Sequence, residues 1–213
     1  MKFKIVGVAM LACLGLAGCQ LALPAAGVTN SDHVAGQTSV RLASSDLIVT
    51  APDGFCVDQN SVKDTQRVGF VMMADCAALH GTAARGASLK LVMLTASVSA
   101  PLGDATRLQS QTLAQFFETT EGRAVLSRSG DPSQVSANAS VLSGDILVLR
   151  ASDTSPTLHK GLAQDESRVI VIAKGRLVSL TGIPLIATHA ARNNADALVI
   201  ELARQLKADN SDS

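Results

Sequence analysis

Four cysteines and four histidines hold most of the reactive chemistry in this chain, and their spacing limits what they can do. The cysteines stand at 13, 19, 56 and 76. No two have the Cys-x-x-Cys spacing that lowers a thiol pKa for exchange chemistry. Cys76 and His80 are four residues apart, hence on one face if the segment is helical, with Asp75 beside them. Zinc needs three or four such ligands, and this loose set falls short, so no metal and no other cofactor is expected. His33, His80, His159 and His189 are scattered, none at ligand spacing from another, which suits surface or capping roles. Gly-x-Ser-x-Gly, Ser-x-x-Lys, His-Glu-x-x-His, Gly-Lys-Ser/Thr and Gly-x-Gly-x-x-Gly are all absent. A non-catalytic protein is therefore expected. The alternative is a hydrolase-like enzyme with a scattered site built on His159 or His80. Phe55, His80 and His159 are the candidates for ligand or partner contact, Phe55 because rings are scarce here and it sits beside Cys56. Arg123, Arg128, Arg150, Lys160, Arg168, Lys174, Arg176 and Arg192 recur through the second half without forming a run. If several converge in space, they could receive an anionic ligand.

The N-terminus is an address. Lys2 and Lys4 precede an apolar run, Ile5 to Leu14, too short to span a bilayer as a mature helix. It ends in Leu16-Ala17-Gly18-Cys19, which resembles the lipobox of bacterial lipoproteins. That resemblance implies removal of residues 1–18, a diacylglycerol on the Cys19 sulfur and acylation of the new amino terminus. Such acyl chains bury far more CH₂ groups than the single chain that binds reversibly, so attachment to the membrane is expected to be permanent. Gln20 follows the cysteine where lipoproteins kept at the inner membrane usually carry Asp. This favours the periplasmic face of the outer membrane, with the inner membrane as the alternative. With Cys13 removed and Cys19 acylated, Cys56 and Cys76 remain, and export carries them to an oxidising compartment where they are expected to pair as a disulfide. Cys19→Ser is expected to leave a soluble or uncleaved precursor, and Cys56→Ser to destabilise the head without changing its address.

The chain has 213 residues, 47% apolar and 17% charged, with 18 Lys+Arg against 18 Asp+Glu, enough for one folded domain. Balanced charge leaves no footprint for nucleic acid, and 2% aromatics leave few rings for stacking bases or sugars. The expected partners are the membrane, through the lipid on Cys19, and an envelope protein; nucleic acid is not expected.

Residues 19–45, rich in Ala, Gly, Ser, Thr and Asn without periodicity, predict a flexible tether. A single domain over 46–208 and a polar tail over 209–213 should follow. Strands are predicted over Asp46–Thr50, Gly69–Met73, Leu89–Val98, Val135–Leu142, Ile146–Ala151, Val169–Ala173 and Leu177–Leu180, the last two as a hairpin on Lys174-Gly175. A helix is predicted over Gln111–Ser127, interrupted at Gly122, and a closing helix over Thr188–Lys207. This order lacks βαβ alternation and predicts an α+β fold, an antiparallel sheet covered by helices. The layout, with its Ala-Pro-x-Gly-Phe start and Gly-Arg-Leu-Val strand, resembles PsbP- and DcrB-like proteins and implies an α/β sandwich. Pro52-Asp53-Gly54-Phe55-Cys56 followed by Cys76 is also similar to uncharacterised proteobacterial lipoproteins.

Overall fold

The computed structural model describes residues 36–83, 90–103, 109–143, 145–156 and 164–211. Cys19, His33, His159 and Lys160 lie outside them, so the lipidation and His159 expectations are not addressed by the fold. The compact unit Gly36–Ser213 belongs to the mixed α+β class with antiparallel sheets.

The two-stranded sheet pairs β1 (Ser39–Leu42) with β2 (Leu47–Thr50). The larger sheet contains β3 (Phe55–Val57), β4 (Lys63–Asp64), β5 (Gly69–Asp75), β6 (Val92–Pro101), β7 (Val135–Leu142), β8 (Ile146–Asp153), β9 (Asp165–Ala173) and β10 (Arg176–Pro184). Its order is β3-β5-β6-β10-β9-β8-β7, every pairing antiparallel, with β4 also on the outer edge of β5. The helices are α1 (Cys76–Leu79), α2 (Ser110–Glu118), α3 (Thr120–Leu126) and α4 (His189–Asp209).

Period-two alternation divides the sheet residues between two cores. Val92, Leu94, Ala96 and Val98 of β6 join Val169 and Val171 of β9 and Val178 and Leu180 of β10 on one face. Leu198, Val199, Leu202 and Leu206 of α4 close over them, together with Leu42, Leu47 and Val49 of the β1–β2 pair. On the opposite face Leu147, Leu149 and Ile170 meet Ala114 and Phe117 of α2 and Leu126 of α3. That second face is not uniformly roofed, since Phe70, Met72 and Thr95 are half-buried and Ser97 is exposed.

Three sequence expectations are corrected. The tether does not reach residue 45: Ser39–Leu42 is a strand, and Leu42 is fully buried because it packs into the α4-side core. The tail does not begin at 209. Asn210 is buried, accepting from the Ile48 amide at 2.8 Å and donating to the carbonyls of Ile48 (2.8 Å) and Leu206 (2.7 Å), so it pins the end of α4 to β2. The helical segment breaks at Thr119, not Gly122. Thr119 is extended, donates to the Phe116 carbonyl at 2.8 Å and accepts from the Gly122 amide at 3.0 Å, thus ending α2 and capping α3. Gly122 serves close approach instead, because a Cβ there would run into the Phe116 carbonyl oxygen.

Cys56 and Cys76 form a disulfide, with Cα atoms 4.8 Å apart. Cys56 lies within β3 and Cys76 just past the end of β5, so the bond reinforces the pairing of an edge strand only three residues long. Closing a loop of 20 positions restricts the unfolded chain by about 3 kcal/mol.

Two buried carboxylates knit loops to the sheet. Asp153 accepts from the Ser155 amide (2.8 Å), the Ser155 hydroxyl and the Arg128 amide (2.8 Å), with the Arg128 Nε at 3.6 Å. Burial pushes its pKa up, but these donors outweigh burial and hold it below the usual carboxylate range. For Asp75, burial is likewise outweighed by the amides of Lys90, Ala78 and Ala77. A folded-state pKa below the unfolded one means stability that is present above about pH 4 and is lost as pH falls through the lowered folded value. Urea midpoints measured from pH 6 downward should therefore fall on acidification, roughly from pH 4. Asp153→Asn should start less stable and show a shallower decline; an unchanged decline would show that other groups control the acid limb.

Candidate functional site

A cleft of about 320 Å³ lies where the N-terminal half of α4 crosses the β7–β8–β9 end of the sheet. Its floor follows from strand register. Ser136, Ser152 and Asp165 stand opposite one another across β7, β8 and β9, and Arg150 and Ser167 form the next row, continued by Gly182 on β10. Its wall is α4, whose N-cap Thr188 accepts from the Ala191 amide at 3.2 Å. Ala195 sits over Gly182, where a Cβ would lie 2.9 Å from the Ala195 carbonyl oxygen, so helix and sheet meet at backbone contact.

Two ion pairs bridge floor and wall. Arg150 of β8 donates through Nε to Asp196 of α4, and Arg192 of α4 donates through Nη1 to Asp165 of β9 at 2.6 Å. Arg192 Nη2 lies 3.0 Å from His189 Nδ1. All four ion-pair partners are partly exposed, from 24% for Asp196 to 47% for Arg150, so solvent and solutes reach them. Among the described residues, no side-chain hydrogen bond engages the hydroxyls of Ser136, Ser152 or Ser167.

The sequence-nominated residues lie elsewhere. Phe55 is wholly buried in the α4-side core, with the Lys90 ammonium 5.3 Å from its ring centroid, so it packs rather than facing a partner. His80 is exposed at the end of the one-turn helix α1, on the same face as Cys76, whose sulfur is committed to the disulfide. A Cβ on Gly36 would strike both Cys56 Sγ and His80 Nε2, which places the imidazole beside the disulfide and far along the sheet order from the cleft. Among the described residues, no three His, Cys, Asp or Glu side chains group as metal ligands.

Of the arginines that could have converged, only Arg150 and Arg192 share the cleft. Arg168 points to the other face, bound to Glu166 at 2.9 Å, its Nε buried without a partner among the described residues. Arg128 serves Asp153, Arg123 bonds the Glu118 carbonyl, and Arg176 is buried. What the sequence reading missed is the acids: Asp165 and Asp196 turn a would-be anion site into a mixed one. The four-residue spacing of Arg192 and Asp196 was a readable signal that they share a helix face.

No protein-family model and no curated protein matches the chain. Among solved structures, it is similar to the extracellular domain of PknH from Mycobacterium tuberculosis at 11% identity and a TM-score of 0.29, over 69% of this chain and 68% of that one. A likeness at that level carries no argument about fold or function. No helix among the described residues is long and apolar enough to cross a membrane.

Proposed function

We propose that the protein is a lipid-anchored, non-catalytic binding module of the bacterial envelope whose α4 cleft is its binding site. The cleft's construction carries this reading. Its floor is strand and its wall helix, Ser136 and Ser152 present hydroxyls to it, and its carboxylates are each engaged by an arginine. The imidazole at its rim is held by Arg192. Such a site offers recognition, since its paired charges and its imidazole are held in place by arginines that a ligand can share. The lipobox-like Leu16-Ala17-Gly18-Cys19 supports the anchor, and Gln20 supports the periplasmic face of the outer membrane. A PsbP- or DcrB-like sandwich is the layout this reading favours, supported by the order of strands and helices.

Expressed at full length in a two-membrane bacterium, the wild-type protein should take up labelled acyl chain and sediment with membranes. Cys19→Ser should lose the label and either be released or accumulate as precursor. Normal membrane fractionation and labelling of Cys19→Ser would overturn the anchor. Crosslinking in cells before detergent extraction, with Cys19→Ser as control, tests for an envelope partner: a stoichiometric partner lost in the control would support an assembly role.

A further inference from the structure

The two ion pairs of the cleft are arranged as an alternating square. Around it run Arg150 on β8, Asp196 on α4, Arg192 one helical turn earlier, and Asp165 on β9, diagonal to Arg150 across the strand register. Unlike charges are neighbours along every edge. The square has no net charge, so an ion of one sign placed over it meets attraction and repulsion that nearly cancel. A molecule carrying both signs a few ångströms apart can lay each pole against the opposite corner. The anionic ligand suggested by the arginines alone is therefore disfavoured, as is a simple cation.

Spare hydrogen-bonding capacity reinforces this. Arg150 engages Asp196 through Nε, leaving both Nη groups to donate, and Asp196 and Asp165 each accept through Oδ2, leaving Oδ1. A ligand can thus bind without breaking either pair. The serine hydroxyls on the floor can donate or accept beside it. A volume of about 320 Å³ suits a molecule of amino-acid size.

We propose that the cleft takes a small zwitterion of the α-amino-acid type, its carboxylate on Arg150 and its ammonium against Asp165 and Asp196. The inference rests on the cleft being the binding site proposed above. L-alanine, L-glutamine and L-leucine serve as probes, titrated calorimetrically into the full-length detergent-extracted protein. Each is compared with its amide, which lacks the anionic pole, and its N-acetyl form, which lacks the cationic one. At least one free amino acid is expected to bind, with both capped forms at least about tenfold weaker, since each loses a charge-assisted contact. Arg150→Gln and Asp196→Asn should weaken binding by a similar factor. Partly exposed pairs contribute little to stability, so both variants should keep near-wild-type melting temperatures.

Capped and free forms binding alike would overturn the zwitterion inference while leaving the cleft as a binding site. The absence of binding by every form would overturn both the inference and the cleft reading. Binding undiminished in Arg150→Gln and Asp196→Asn would place the site elsewhere and overturn the inference.

Discussion

Replacing Arg176 by methionine is expected to cost about 3–5 kcal/mol of unfolding free energy, because three carbonyls lose a charged donor in a buried place. Arg176 opens β10 and is 5% exposed. Its Nη1 donates to the Ser99 carbonyl at 2.8 Å and the Gln66 carbonyl at 3.2 Å, and its Nη2 to the Ser44 carbonyl at 3.0 Å. One guanidinium thus ties the β1–β2 turn, the β4–β5 turn and β6 to the start of β10. Methionine fills similar volume but donates nothing, leaving the carbonyls to find water or stay unpaired. Lysine keeps the charge without the planar fork and should recover only part of the loss. The urea midpoint is the measurement, with Arg41→Ala as control. Arg41 pairs with Asp46 at the surface, 60% and 68% exposed, and its loss should cost no more than about 1 kcal/mol. If Arg176→Met matched that control, the three carbonyls would have to be hydrated in the native state.

Arg176 also shows where sequence reasoning stops. Its neighbours Leu177 and Leu180 mark a strand by apolar pattern, but nothing in Gly-Arg-Leu-Val says that the arginine turns inward to two turns and a strand distant in sequence. Elements with one buried face were legible: strand β6 follows from Val92, Leu94, Ala96 and Val98, and helix α4 from Leu198, Val199, Leu202 and Leu206. The short edge strands were not. Phe55, Cys56 and Val57 are all buried, and Lys63 and Asp64 are both exposed, so neither strand alternates. Two strands proved longer than their apolar runs for a reason tied to the cleft. β9 starts at Asp165, four residues before Val169, because Asp165 and Ser167 face the cleft and not the core. β10 extends past Leu180 through Thr181 and Gly182 because the buried face there must be small to receive α4. The arginines of the cleft were visible as residues, whereas their pairing with Asp165 and Asp196 depends on register and helix placement that no local pattern encodes.

Gly182→Val tests that placement most directly. Valine favours strands, so local propensity alone predicts a gain of up to about 1 kcal/mol. The structure predicts the opposite sign. A Cβ at this position would lie 2.9 Å from the Ala195 carbonyl oxygen and 3.4 Å from the Ala195 Cβ, and a helix backbone cannot rotate aside as a side chain can. Helix α4 must lift, and Leu198, Val199 and Leu202 lose contacts in the largest core. A cost of about 3 kcal/mol or more is expected for valine, and about 1–3 kcal/mol for alanine. Gly175→Ala separates collision from conformation. Gly175 has φ +67° with open space around its Cβ position, so alanine there meets only the left-handed penalty of about 1–2 kcal/mol. Hydrogen exchange should show faster opening of α4 in Gly182→Ala but not in Gly175→Ala. Lifting α4 also draws Arg192 and Asp196 away from Asp165 and Arg150, so Gly182→Ala should weaken ligand binding although Gly182 presents no side chain to the cleft. Neutral stability with intact binding in Gly182→Ala would mean that α4 is not seated on β10 at van der Waals distance, and the cleft geometry would then need another support.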